Sequence, residues 1–262
     1  MILELLEYLL TPVPPWTRSL GFLRSAIEVR ARYRRCRTAW QPHLDATQSW
    51  ILRTAQACPS KRKVVLLGAG LLHDVPLRAL ASLFSKVVLV DAVHPLSSRL
   101  ASLPFPNVSR EALDVTGLVH ALHSNTPENP VSLPDPLPRP TRFLDDPELD
   151  LTLSLNLLSQ LPWIPSKLLA PHLSETQLTP FLQAILRAHL DYLRQLPGQT
   201  ALVSDFQWSR VSPDGTPRET WNVLHGLRLP PPTLQWEWNI APAPELEPDH
   251  HFIAHVAAYS DW

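Results

Sequence analysis

Three residues of this chain stand at spacings that can do chemistry together: Gly68, Gly70 and Asp91. The two glycines make a tight Gly68-Ala69-Gly70 turn directly after the apolar run Val64 to Leu67. Asp91 follows 21 residues after Gly70 and closes a second apolar run, Val87 to Val90. Gly68 lets the backbone turn sharply off a strand, and Gly70 lets a ligand reach the main chain where a Cβ would obstruct it. An acid at the end of the next strand is placed to accept hydrogen bonds from a ribose diol, so the pattern reads as nucleotide-type binding. The bland alternative is an ordinary turn and a strand-end Asp that caps something local. A dinucleotide turn wants a third small residue for close helix–strand packing. Here that position is His73, which argues against NAD or FAD.

The elements that must hold these residues follow from the same stretch. Lys63 to Asp91 reads strand, turn, helix, strand, with Asp74 as helix N-cap, Pro76 in the first turn, and Leu77, Leu80, Ala81 and Phe84 at helical spacing. Both apolar runs read as parallel strands buried on two faces. Downstream, Val108–Leu113 reads as a third strand and Leu149–Leu155 as a fourth. Thr179–Leu196 reads as the clearest helix, ended by Pro197-Gly198, and TALVSDF as a fifth strand closing on Asp205. SPDGTPRE is a turn, and LQWEWNI and HFIAHVAAY are two last strands.

This arrangement resembles the class I S-adenosylmethionine-dependent methyltransferases, over roughly Lys63 to Tyr259. Their first motif is a strand leading to GxG, their second strand ends in a ribose-binding acid, and their sheet closes with an antiparallel pair. The resemblance implies an α/β, Rossmann-like, mostly parallel seven-stranded sheet with helices on both faces. It also implies that Leu67, Gly68, Ala69, Gly70, Asp91, Ala92, Asp114, Val115 and Asn156 hold the cofactor S-adenosylmethionine. Asp114 and Val115 match the family's adenine contacts after the third strand. The plainer reading of Asp114 is a turn-forming Asp before Thr-Gly. Asn156, Ser159 and Gln160, past the fourth strand, fall where the family keeps residues near the transferable methyl. The family's Asn/Asp-Pro-Pro-aromatic pattern is missing there, which weakens the case for a nucleic-acid base as acceptor.

The catalytic, acceptor-side candidates are Asn156, Gln160 and His225. For a general base, His225 is joined by His94, His73 and Asp205, since an unperturbed His titrates near neutrality. With 11 histidines in the chain, a structural role for any one is the commoner outcome. His251 and His255 would share a strand face about 13 Å apart, too far for one metal ion, and no metal is expected. Trp221, Trp236 and Trp238 could form an aromatic wall or simply pack in the core.

The first 60 residues read as a helical cap before a 61–262 catalytic domain, with helices over about Thr17–Thr38 and Leu44–Ala57. Trp40, His43 and Trp50 would line a pocket or pack. Arg24, Arg30, Arg32, Arg34, Arg35 and Arg37 make either a phosphate-binding patch or a solvated face paired with acids. MILELLEYLL carries Glu4 and Glu7 and reads as a short amphipathic helix rather than a signal or a span. Proline is heavy at 29 residues, against an ordinary share of about 5%, and 124–142 reads as a proline-rich loop insertion.

A net charge of −1 gives no global attraction to nucleic acid or membrane, and two cysteines give no disulfide framework. A cytoplasmic enzyme is expected, acting on a small molecule or a protein side chain. The alternatives are a non-catalytic cofactor- or partner-binding module of the same fold and an NAD(P)-dependent oxidoreductase.

Overall fold

The computed structural model describes residues 2–118, 133–134 and 136–262. Most of the expected proline-rich insertion, 124–132 and 135, therefore lies outside the described residues. The chain folds as helices α1 (Ile2–Leu10), α2 (Pro15–Ser19) and α3 (Phe22–Ala57), then strand β1 (Lys63–Leu67), α4 (Leu77–Leu83) and β2 (Lys86–Asp91). There follow α5 (Leu96–Ser102), β3 (Val108–Ala112), β4 (Leu149–Leu155), α6 (Trp163–Leu169) and α7 (Glu175–Gln195). The chain ends with β5 (Gln199–Val211), β6 (Pro217–Asn222), β7 (Leu234–Ala241) and β8 (His251–Tyr259).

The main path of the sheet is β3-β2-β1-β4-β5-β8-β7, with β6 as an eighth strand paired only to β5. Strands β3, β2, β1, β4 and β5 run parallel, while β8 lies antiparallel between β5 and β7. The α/β, Rossmann-like architecture with an antiparallel C-terminal pair is thus as expected, with one hairpin strand added. That strand exists because β5 does not stop at Asp205. A register shift between Asp205 and Gln207 bends β5 there, and it continues to Val211 and turns back through Ser212–Thr216 into β6.

Alternation within the strands divides the core between the two faces. Val64 and Leu66 pack with Trp50, Ile51 and Ala55 of α3 and Leu77 and Leu80 of α4. Val65 and Leu67 pack with Leu182, Ile185, Leu186 and Leu193 of α7 on the other face. All seven residues of β4 are buried. The polar ones among them include Asp150, which takes the Arg62 backbone N–H at 2.7 Å and its guanidinium at 2.5 Å, and Ser154, 3.0 Å from His189. Helix α7 begins four residues before the expected Thr179, since Ser174 and Gln177 form a capping box.

The largest departure from expectation is α3. Two helices were expected, separated near Trp40; two helical segments are present, but they join at a kink at Cys36 within one 36-residue element, and the second runs on through Pro42. Pro42 does interrupt the hydrogen-bond ladder, but tertiary packing carries the helix through. Trp40 donates to the Ile240 carbonyl at 3.0 Å and meets Trp238 edge-on, while Trp50 is fully buried against the sheet. The N-terminal end of the same helix packs Leu23 and Ile27 on Val93, just past the end of β2. Segment 1–60 therefore supplies core packing at one end and a cover over the strand ends at the other.

Four of the six arginines of the run form ion pairs. Arg24 meets Glu28, Arg30 meets Glu7, and Arg32 and Arg35 meet Glu245. No described helix is long and apolar enough to cross a membrane. Cys36 and Cys58 are both free and buried.

Candidate functional site

The carboxyl ends of β3, β2, β1 and β4 lie side by side in the sheet, and there the structure gathers most of the expected cofactor residues. In an open α/β sheet this end forms the ligand crevice. Gly68 has φ +85°, and a Cβ on it would stand 2.5 Å from the Leu155 carbonyl oxygen. The β1 turn thereby touches the end of β4 with nothing between. A Cβ on Gly70 would meet the Asp91 carboxyl and the Val93 carbonyl, each at 2.7 Å. Gly70 N–H donates to Asp91 Oδ2 at 2.9 Å, and Val93 N–H donates to Oδ1 at 3.2 Å. With the Ala92 N–H as a third donor, part of the roughly four acceptor positions of an ionised carboxylate stays open. Removal from water raises the Asp91 pKa to about 6, against the three backbone N–H groups, of Val93, Gly70 and Ala92, that lower it.

Ala92 packs under the cap with Phe22, Leu23 and Ile27. Past β3, Asp114 Oδ1 accepts from the Thr116 N–H at 2.9 Å and its hydroxyl at 2.6 Å, closing a turn. Val115 is buried in the α7-side core.

Beyond β4 the structure shows more than the sequence did. Asn156 sits at φ +47°, the left-handed region that Asn tolerates. Its backbone N–H donates to the Val203 carbonyl at 2.8 Å, and its side-chain Nδ2 donates to Asp74 Oδ2 at 2.9 Å. His43 Nε2 stands 3.5 Å from the same Nδ2, and Trp236 Nε1–H donates to His43 Nδ1 at 3.0 Å. His43 lies flat on Trp238 with ring centres 4.0 Å apart. Burial pushes His43 down to about 3 and pushes Asp74 up from the usual carboxylate range. Asn156 Oδ1 is buried with no hydrogen-bond partner among the described residues.

Asp74 is therefore not a helix cap. Helix α4 starts later, at Leu77, with no side-chain cap, and the chain enters it through a tight turn in which Leu77 N–H donates to the Val75 carbonyl at 2.9 Å. The residue reaches across to β4 instead, a role hidden in the sequence because Asp before a proline and an apolar run is also how a helix begins. His43 was legible only as a pocket or packing residue. Its tie to Asn156 depends on α3 running unbroken through Pro42.

The acceptor-side candidates do not converge. Gln160 turns back to donate its amide to the Asn156 carbonyl. His225, at φ +52°, lies in the turn after β6, where its carbonyl accepts from Gln183 of α7 at 2.7 Å. No hydrogen bond among the described residues joins it to Asn156 or Asp91, and partial burial lowers its pKa. His94 is buried with Nε2 on the Glu111 carbonyl at 3.0 Å. Asp205 accepts from Ser159 and from Trp208 Nε1 at 2.6 Å, fixing the bend in β5. Of the three tryptophans, Trp236 and Trp238 flank His43, whereas Trp221 pairs with Trp208 across β5 and β6. His251 accepts from Ala243 N–H, and His255 pairs with Ser209.

No family model matches the sequence, and no curated protein matches it. Among solved structures the chain is similar to the YcgJ protein of Bacillus subtilis, at 17% identity and TM-score 0.35, over 62% of this chain and 51% of that one. It thus spans about half the length of that protein. It is also similar to DhpI solved in complex with SAH, at 13% identity and TM-score 0.38, over 87% and 92% of the two chains. An rRNA methylase of Streptococcus thermophilus is similar at 15% identity and TM-score 0.34, over 82% and 96%.

Proposed function

We propose that this chain transfers a methyl group from S-adenosylmethionine to a small molecule or a protein side chain. The observation that carries the reading is the Gly70–Asp91 contact: a glycine of the turn at the end of β1, bonded at 2.9 Å to a carboxyl at the end of the neighbouring parallel strand. The sheet order, with β8 antiparallel between β5 and β7, supports a methyltransferase rather than an all-parallel dehydrogenase arrangement. His73 at the third-glycine position supports the same choice.

The residues present suit the cofactor in two respects. The space a Cβ would fill at Gly70 is taken by the Asp91 carboxyl and the Val93 carbonyl rather than left for a ligand, so the carboxyl closes directly on the turn, and its open acceptor positions are what a ribose would use. Asn156 Oδ1, buried and without a partner, offers an acceptor to a ligand N–H or O–H. On this reading Gly68, Gly70, Asp91, Asp114 and Val115 hold the nucleoside, and Asn156 faces the other end of the ligand. When bound, the cofactor supplies an electrophilic methyl on sulfur. The chain's part is to align the acceptor in line and exclude water. The cap of α1–α3 over Ala92 and Val93 suits the second task.

The test is calorimetric titration of S-adenosylhomocysteine into the wild type and Asp91→Ala. Micromolar binding, weakened by about 1–3 kcal/mol in the variant, is the expected result for a hydrogen bond to a charged group. A folded wild type that takes up no S-adenosylhomocysteine overturns the proposal.

A further inference from the structure

Outside the Gly70–Asp91 cradle, the structure holds a cavity of about 350 Å³ between the cap helix, the loop that continues from Gly70, and α5. That volume lies in the range of small-molecule sites. Arg30, Tyr33 and Arg34 come from α3, Leu72 and His73 from the loop, and Ser97 from α5. Each of these elements has another reason to be where it is, but the wall they make has two features that packing does not explain. First, His73 Nε2 and Ser97 Oγ are buried with no hydrogen-bond partner among the described residues. Buried polar atoms are almost always satisfied, so two orphans set just behind one cavity wall leave a polar demand there that the described residues do not meet.

Second, the wall is cationic, and none of its described lining residues is a carboxylate. Two guanidiniums line it, and the acids that meet them come from α1: Glu7 on Arg30, and Glu4 near Arg34. Neither of those acids lines the cavity. Glu7 takes one nitrogen of Arg30, and a guanidinium carries five N–H donors. The field of Arg30 is felt at the wall: with burial, it holds His73 neutral, at about 4. The imidazole, stacked on Tyr33 at 3.8 Å, is thus uncharged. The remaining lining is Leu71, Leu72 and Ala101, with Ser98, whose hydroxyl is already donated to the Pro95 carbonyl at 2.9 Å.

We propose that this cavity is the methyl-acceptor site and that it takes a small organic anion, its carboxylate or phosphate on Arg30 and Arg34 and its apolar body against Tyr33 and Leu72. The assignment rests on the methyl-transfer reading above. The donor cradle and the cavity share one loop, since Leu72 lies two residues past Gly70 and holds φ +61°. A ligand in either would therefore touch the same strained turn. An anion at the arginines has two sources, the acceptor or the carboxylate of the donor's own methionine, and the experiment separates them.

The experiment is calorimetry with benzoate as the probe anion, benzamidine as its cationic counterpart, and S-adenosylhomocysteine and 5′-methylthioadenosine as donor-site ligands. Wild type, Arg34→Gln and Ala101→Trp are compared; both substitutions are at exposed positions, so the fold is retained. The expected result is benzoate binding to wild type, weakened tenfold or more by Arg34→Gln and abolished by Ala101→Trp, with S-adenosylhomocysteine affinity unchanged in both. Equal binding of benzamidine, or benzoate binding indifferent to both substitutions, overturns the anionic site, as does absence of benzoate binding. If Arg34→Gln weakens S-adenosylhomocysteine but not 5′-methylthioadenosine, the anion is the donor's carboxylate and the acceptor assignment falls. Benzoate binding that depends on Arg34, in a protein that ignores S-adenosylhomocysteine, keeps the anion site and overturns its role in methyl transfer.

Discussion

Asn156 and Asp74 meet at 2.9 Å across 82 residues of sequence, the amide donating to a buried carboxylate. The neighbouring His43 constrains this pair. Because Trp236 donates to Nδ1, the proton of the neutral imidazole stands on Nε2. Nε2–H then faces Asn156 Nδ2 at 3.5 Å, donor against donor, while Oδ1 is left without a partner. The amide orientation is thus held by its hydrogen bond to Asp74. Asn156→Asp keeps a residue that tolerates the left-handed backbone but sets a second carboxyl against Asp74. At pH 7 it is expected to cost about 1–3 kcal/mol, the penalty of a buried group stripped of its donor. The loss should shrink as acidification lets the two carboxyls share a proton. Urea denaturation at pH 7 and pH 5 reads both effects. A loss of equal size at both pH values counts against the pairing.

Gly68 and Gly215 have nearly the same backbone, φ +85° and +83°, but different surroundings. A Cβ at Gly215 meets nothing within 4 Å, and at Gly68 it meets the Leu155 carbonyl oxygen at 2.5 Å. Gly215→Ala is expected to cost about 1–2 kcal/mol for the left-handed backbone alone. Gly68→Ala carries the same cost plus about 1–3 kcal/mol of overpacking against a main chain that cannot give way. Equal losses in chemical denaturation would show that the turn is not pressed against β4.

The parts of this fold that were legible were those whose signal is local. Periodicity and glycine spacing sufficed for β1, β2 and the turn between Gly68 and Gly70, since apolar runs and a GxG turn encode themselves within a few residues. Strands β7 and β8 were legible as apolar runs in the same way, but their antiparallel pairing came from the family resemblance, and β6 was read as turn and connection. The misread parts depend on contacts far away in sequence. Pro42 reads as a break, but Trp40 and Trp50 are anchored by Ile240 and by Ser260, 200 and 210 residues on, and they hold the helix together. Asp74 reads as a cap because its true partner, Asn156, is 82 residues distant. Asp205 reads as a strand end, where a bend in β5 held by Ser159 and Trp208 lets the strand continue. His225 was selected for its chemistry, and nothing in its local sequence tied it to the strand ends.

Asp91 titrates near pH 6, above its value in the unfolded chain. A raised acid binds its proton more tightly in the folded state, so its contribution to stability is full below about pH 4 and is lost as the pH rises through about 6. Ligand binding should run the other way. Ribose hydroxyls donate to the ionised carboxylate, so S-adenosylhomocysteine affinity is expected to rise between pH 5 and 7 in the wild type and to stay weak and flat in Asp91→Ala. Calorimetric titrations at three pH values test this. A wild-type affinity independent of pH would remove Asp91 from the binding surface.

His189 gives the opposite sign. It lies on the buried face of α7 with Nε2 at 3.0 Å from Ser154 Oγ on β4, and burial lowers its pKa to about 4. A histidine in the unfolded chain protonates near 6.5, so the unfolded state takes up the proton first and the fold loses stability as pH falls from about 6.5 towards 4. Each unit of difference is about 1.4 kcal/mol. His189→Gln retains a polar group for Ser154 and removes the titration. It is expected to lower stability at pH 7, where the native imidazole is neutral and bonded, and to show a shallower loss on acidification than the wild type. The difference between the two stability curves isolates this group from Asp91, whose contribution is common to both proteins. Parallel curves from pH 7 to 4 would mean that the imidazole of His189 is reached by water and protonates in the folded state.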